Sequence, residues 1–187
     1  MEEIRFHGRG GQGVGSGAQA MVKALVSDGI FAHFIPFFGV ERKGSPVFGY
    51  ARISDKPIRC KSLIYEPNCV VILDDTLIDE VPVFNGLKPG SFIVINTRKC
   101  VEAFSLPKNA SAVGLVDATS IAQSCTGREI PNTAMLGAMA KVTGFLNLER
   151  TQGKIRESFG DKNAQAFNEA YRATKTYRIL GGSVLEG

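Results

Sequence analysis

The sequence predicts a single α/β domain over residues 1–187: a three-layer, Rossmann-like fold on a mostly parallel sheet, with an inserted β-hairpin and C-terminal helices. Three observations carry this. A strand-like run near the start of the chain ends in a glycine-rich turn that opens a helix. Three continuous apolar runs follow in the middle of the chain, each ending in polar residues, as strands covered on both faces do. From Ala118 onward the apolar residues recur at helical spacing. A length of 187 residues allows one full core and is short for two domains.

The first element is the run over residues 2–7, followed by Gly8-Arg9-Gly10-Gly11-Gln12-Gly13. Val14, Ala18, Met21, Val22 and Leu25 then recur at helical spacing up to Asp28-Gly29. The turn fits G-x-G-x-x-G and lies between a strand and the helix it opens. In such a turn the first glycine permits the tight bend and the second lets a ligand approach the main chain. The third lets the helix pack on the strand. Amides at the new helix start then face any anion placed there. Glycine-rich turns also serve packing alone. A dinucleotide site further needs an acidic residue about 20 positions on, at the end of the second strand. The second strand here, residues 30–36, carries none, so the loop reads as an anion site and not as an NAD site.

Residues 36–46 show no helical or strand period and hold Phe37, Phe38, Glu41, Arg42 and Lys43 among glycines and prolines. Two readings stand side by side: a contact with a ligand or another chain, or a solvated charge cluster over a local Phe-Pro knot. Residues 47–53 alternate, with Val47, Gly49, Ala51 and Ile53 on one face and Phe48, Tyr50 and Arg52 on the other. A turn over residues 54–57 and a return strand over residues 58–62 complete the expected hairpin.

The apolar runs are residues 69–73, 91–95 and 112–116. Each ends at the carboxyl edge of the expected sheet, where α/β folds bind ligands. Asp74, Asp75 and Asp117 there read as caps of the next helices. Asn96 and Arg98 stand on the same side of the sheet as the glycine loop. A short helix should begin near Thr119 and stop near Gly127. The small residues of 131–139 suit a helix that approaches a neighbour closely. Thr151 is the expected cap of a helix ending at Gly160. The last helix, with Phe167, Ala170, Tyr171 and Thr174 on one stripe, is expected to run to Gly181-Gly182.

The net charge of +4 is modest, and its basic residues are scattered, which argues against nucleic acid. The apolar runs are strand-sized, so no membrane span is expected and the cytoplasm is the default compartment. Cys60, Cys69, Cys100 and Cys125 lie far apart with no C-x-x-C pair, so this chain alone builds no zinc or iron–sulfur cassette. No Ser-His-Asp set, H-E-x-x-H or G-K-[ST] motif is present. His7 beside the loop reads as structural. Glu41, between Phe-Gly-Val and Arg42-Lys43, suits an ion pair better than a general acid. An anion loop with so little catalytic equipment marks one part of a larger assembly.

Two stretches together resemble a known family. The glycine loop after Ile4-Arg5-Phe6-His7, with Pro36-Phe37-Phe38-Gly39-Val40-Glu41-Arg42-Lys43-Gly44-Ser45-Pro46-Val47, is similar to the gamma subunit of 2-oxoacid:ferredoxin oxidoreductases, above all the pyruvate type. Residues 132–137 extend the resemblance. Gly15-Ser16-Gly17 departs from it where bulkier, more helix-favouring residues are expected. The resemblance implies an enzyme that decarboxylates a 2-oxoacid on thiamine diphosphate, reduces ferredoxin through iron–sulfur clusters and releases an acyl-coenzyme A. It implies alpha-, beta- and delta-type partner subunits that hold the thiamine diphosphate, magnesium and clusters. It leaves this chain without catalytic or metal-binding residues and inactive alone. Gly8, Gly10, Gly11, Gln12 and Gly13 are then expected to hold the coenzyme A phosphates, with help from Asn96 and Arg98. Phe37, Phe38, Glu41, Arg42 and Lys43 are expected at a partner contact. The rival expectations are a purely structural scaffold subunit, or a gamma chain of a branched-chain, 2-oxoglutarate or arylpyruvate enzyme.

Overall fold

The computed structural model describes residues 1–37 and 44–186. Its sheet has eight strands in the order β2-β3-β1-β4-β5-β6-β7-β8. The strands are β1 (Glu2–Arg9), β2 (Phe31–Phe37), β3 (Pro46–Ser54), β4 (Cys69–Ile72), β5 (Ser91–Asn96), β6 (Ala110–Val116), β7 (Lys175–Leu180) and β8 (Ser183–Glu186). The helices are α1 (Val14–Ser27), α2 (Leu77–Glu80), α3 (Ala118–Thr126), α4 (Asn132–Thr143), α5 (Leu148–Phe159) and α6 (Asp161–Ala173).

The three apolar runs form β4, β5 and β6, which with β1 make the parallel centre of the sheet. Every residue of β4 is buried, as expected for a strand covered on both faces. The flanks are antiparallel: β3 and β2 on one side, β7 and β8 on the other. The sheet is therefore mixed, and less parallel than the sequence suggested. The expected hairpin is also displaced. Its strand β3 inserts between β1 and β2 and pairs with both, from Glu2↔Ile53 to Arg9↔Pro46 on one side. Residues 58–62 form no strand. Both sides of β3 are already taken, so a return strand has no edge to join.

The helical coverage is uneven. One face carries α1, α3, α4, α5 and α6 over Ile4, Phe6, Ala51, Val71 and Val94. The other carries only α2, a 3-10 turn at Val101–Ala103 and segments around Val83 and Leu87. The alternation of β3 holds. Ala51 and Ile53 enter the helical core, while Arg52 is buried on the opposite side, where Glu3 and the Ser62 and Leu63 carbonyls accept its hydrogen bonds.

Asp117 caps α3 by accepting from the Ser120 amide at 3.0 Å, and Gly127 ends that helix with φ 75°. Losing such a cap costs about 1 kcal/mol. Asp117→Ala should therefore lower the melting temperature by about 2–4 °C in a chain of this size; an unchanged melt would contradict the assignment. Thr151 is not a cap. Asn147 accepts from Arg150 N and starts α5, and Thr151 is buried inside the helix. The chain after Ala173 is not helical either. It leaves α6 and returns as the hairpin β7–β8 about Gly181 (φ 59°) and Gly182 (φ 94°). Two consecutive left-handed glycines suit a two-residue hairpin turn.

Candidate functional site

The strand β1 runs two residues deeper into the glycine-rich stretch than its spacing suggested. Gly8 and Arg9 pair with Val47 and Pro46 of β3. A methyl at Gly8 would come 2.5 Å from Val14 Cγ2, so Gly8 does the packing expected of the third glycine. The bend itself lies at residues 10–13, with Gly11 at φ 100° and Gly13 at φ 76°. Its geometry is pinned on two sides. Gly10 N donates to Ser45 O at 2.9 Å and Gly44 N to Gly10 O at 3.2 Å. Gln12 folds back over the turn: Arg9 N donates to its Oε1 at 2.8 Å, and its Nε2 donates to Asp74 Oδ2 at 3.0 Å.

Asp74, just past β4, organises the side of the loop away from α1. It accepts from Arg9 Nε, Gln12 and the Thr76 amide. Arg9 also donates to Thr76 Oγ1 and Glu80, so two carboxylates offset its charge. Partial burial pushes the Asp74 carboxyl up, but the hydrogen bonds from Thr76 and Gln12 and the nearby Arg9 charge together hold it below the usual carboxylate range. Asp74 therefore braces the loop rather than capping α2.

On the other side the loop opens α1. The first intrahelical bond runs from Gly17 N to Gly13 O, so the amides of Val14, Gly15 and Ser16 have no acceptor within the helix. No side chain caps α1. The start of α4 lies directly against it. Asn132 Nδ2 donates to Ser16 Oγ at 3.0 Å, and a Cβ at Gly13 or Gly17 would come 2.7 and 3.1 Å from Asn132 side-chain atoms. This close approach accounts for Gly17, where a bulkier residue would push the two helix starts apart; a Cβ at Gly15 has room, its nearest neighbour being Phe34 at 3.9 Å.

These elements enclose a cavity of about 1270 Å³. Its near wall is Gly10, Gly11 and Gly13 with the first residues of α1. Its apolar side is Phe34, Pro36, Val47 and Phe48, from β2 and β3. The rest of the lining comes from Thr126 at the end of α3, Arg128 in the α3–α4 connection, Asn132 at the start of α4, and Asp161, Lys162 and Asn163 at the start of α6. Pro36 stands at the end of the second strand, where a ribose-binding carboxylate would be, as its sequence indicated.

The structure thus gathers Gly10, Gly11 and Gly13 at one cavity and leaves Asn96 and Arg98 outside it. Asn96 is spent on the fold: its Nδ2 donates to Leu73 O and Thr119 Oγ1, and its Oδ1 accepts from Thr119 N. Arg98 lies against Asp117 and Ser120 at the surface. Gly8 and the Gln12 side chain serve packing and bracing. Phe37 ends β2, partly exposed and stacked on Phe48 with centroids 5.2 Å apart. Phe38, Glu41, Arg42 and Lys43 lie outside the described residues. Sequence reasoning missed Arg128, Asn132 and Lys162 as cavity residues. Each sits more than a hundred positions from the loop, and no local motif marks them.

A family model described as pyruvate ferredoxin/flavodoxin oxidoreductase matches residues 3–173. The chain is 48% identical over 185 residues to the pyruvate/ketoisovalerate oxidoreductases common subunit gamma of Thermococcus kodakarensis, covering 96% of this chain and 100% of the relative. It is 45% identical over 179 residues to pyruvate synthase subunit PorC of Methanothermobacter marburgensis, covering 94% and 98%. The crystal structure of pyruvate oxidoreductase subunit PORC from Thermotoga maritima superposes with a TM-score of 0.81 at 33% identity, over 94% of this chain and 97% of that one. The glycine turn, the mixed sheet and these full-length matches agree: the chain belongs to the pyruvate ferredoxin/flavodoxin oxidoreductase family, as a gamma-type subunit.

Proposed function

We propose that this chain works within a cytoplasmic complex that oxidatively decarboxylates a 2-oxoacid, pyruvate first, and that its glycine loop holds the diphosphate of coenzyme A. The observation that carries the reading is the cavity at residues 10–13, onto which the uncapped start of α1 opens. Amides without an internal acceptor, at the positive end of a helix dipole, stabilise a phosphate placed there. In this reading thiamine diphosphate, magnesium and the iron–sulfur clusters sit in alpha-, beta- and delta-type subunits, and ferredoxin takes the electrons there. Among the described residues there is no group of three His, Cys, Asp or Glu side chains able to hold a metal. The four cysteines are free and dispersed. No described helix is long and apolar enough to cross a membrane. Phe37 and the segment after it are proposed to face the partner subunits, since the ring is exposed at an open sheet edge. Oxoacid choice is assigned to the partners, because the Thermococcus relative is named as common to a pyruvate and a ketoisovalerate enzyme.

Gly11 provides a clean test. A methyl there meets nothing within 4 Å and stands in the cavity, although φ 100° strains it. In the assembled complex, Gly11→Ala should raise the apparent KM for coenzyme A about tenfold, a cost near 1.4 kcal/mol, while the KM for the 2-oxoacid stays within about twofold. Unchanged coenzyme A kinetics would remove the loop from the binding site. The competing scaffold reading, in which the loop only packs, predicts that result and draws on the Gln12–Asp74 brace.

A further inference from the structure

We infer that the outer edge of β8 receives an extended segment of a partner subunit as a further strand of the sheet, and that this segment carries acidic residues. The inference rests on the chain being one subunit of a larger enzyme and is independent of the coenzyme A reading.

The two edges of the sheet differ. β2 carries Pro36, which has no amide to offer a neighbour. β8 has no proline, lysine or bulge, the devices that blunt an edge strand, and all four of its residues are exposed. What the edge offers follows from its register. Gly181 and Gly182 make a two-residue turn, so the flanking pair Leu180↔Ser183 exchanges hydrogen bonds, and bonded and open pairs alternate from there. Val184 and Glu186 therefore turn their N–H and C=O groups away from β7.

The side chains beside these groups are apolar on both faces. Val184 stands opposite Ile179, whose side chain enters the core on the α2 side. Leu180 and Leu185 point to the other face, which carries the longer helices. Leu180, Val184 and Leu185 are 60%, 38% and 52% exposed. A strand laid along β8 would cover them and satisfy the main-chain groups between them, as in β-augmentation.

Charge and size select the occupant. Lys175 and Arg178 belong to β7, and the Lys108 stem lies against the turn, 3.2 Å from where a Cβ at Gly182 would stand. None of these cations forms an ion pair among the described residues, and Glu186 is the one carboxylate of the hairpin. An acidic segment complements this edge, whereas a second copy of the chain would bring the same cations to it. Four residues of strand also span only about 13 Å, too little to build the roughly 1,200 Å² of a stable specific interface. A partner subunit that contacts the chain elsewhere as well needs only this short addition.

Hydrogen exchange resolved to single residues tests the edge in the purified complete complex. The Val184 and Glu186 amides should exchange at least about tenfold more slowly there than in the isolated full-length chain. Val184→Pro removes an outward amide and should raise the dissociation constant for the partner subunits about tenfold. Val184→Thr, which keeps the amide and the strand preference, should stay within about twofold of the parent. Lys175→Glu with Arg178→Glu should weaken assembly more at low salt than at high salt. Fast exchange at both amides in the complex would overturn the inference, and so would equal affinities of the Pro and Thr variants. Protection already present in the isolated chain, and growing with its concentration, would give the edge to a second copy instead. A charge-reversal loss that does not depend on salt would refute the acidic segment. The exchange measurement uses the unaltered chain, so it decides even if Val184→Pro unfolds the hairpin. Gly11→Ala reads coenzyme A kinetics alone, so the two readings fail separately.

Discussion

Gly137→Ala should destabilise the chain by about 3 kcal/mol, the upper end of what overpacking costs. Gly137 lies in α4 where that helix crosses α6. A methyl there would come 2.0 Å from the Phe167 carbonyl oxygen, 2.9 Å from its carbon and 3.1 Å from Tyr171 N. All three are backbone atoms, so no rotamer change relieves the clash and the helices must separate. Separation would also open the contacts of Met135, Ala138, Phe167 and Ala170, which are essentially fully buried. In a chain of this size 3 kcal/mol corresponds to about 6–12 °C in melting temperature. Gly153→Ala is the matched control. That glycine lies in α5, and a Cβ there meets nothing within 4 Å. The same substitution should then stabilise by about 0.5–1 kcal/mol through helix propensity. Two shifts of the same sign would refute the account.

The parts of this architecture legible in the sequence are those whose cause is local. The glycine turn, the buried runs of β4 to β6 and the closely packing α4 each follow from a handful of neighbouring residues. The position of β3 does not. Its alternation indicates a strand but not a partner, and long-range pairing with β1 decides where it goes. The C-terminal hairpin was legible in principle, since Gly181-Gly182 separates Lys175–Leu180 from Ser183–Glu186. The helical stripe through Phe167 and Tyr171 masked it, because apolar spacing alone does not say where a helix stops.

The site divides along the same line. Gly10, Gly11 and Gly13 lie within one turn and follow from its pattern. Gly8, Gln12, Asn96 and Asp74 carry residue types that also serve as internal braces, and only their partners reveal which role each takes. The rest of the lining is assembled from the α3–α4 connection and the starts of α4 and α6, brought to the loop by helix packing. No spacing rule relates Gly11 to Arg128.

Acidification should weaken the fold through His7, and the sign follows from its partners. His7 is 7% exposed, its ring tilted against Phe48 with centroids 6.0 Å apart. Its Nε2 accepts from Arg5 Nε at 3.0 Å, while Arg5 Nη2 donates to the carbonyls of Val83 and Asn85. Accepting that bond requires a neutral imidazole with its proton on Nδ1. Protonation would set N–H against N–H in a buried place. Burial first, and then the Arg5 charge, lower the His7 pKa from 6.5 to about 3. Between those values the unfolded chain binds a proton that the folded chain refuses. The contribution is therefore complete above pH 6.5 and lost as pH falls toward 3, at about 1.4 kcal/mol per pH unit. From pH 6.5 to 5 the loss is about 2 kcal/mol. His33 is also held low, by burial and then by Arg52 and Lys61, and adds in the same direction. His7→Gln keeps an acceptor for Arg5 and removes the titration, so its stability should be flatter with pH than that of the parent chain, measured by urea unfolding at pH 7, 6 and 5. Parallel profiles would show that Arg5 tolerates a charged neighbour and that β1 is not matched to neutral pH in this way.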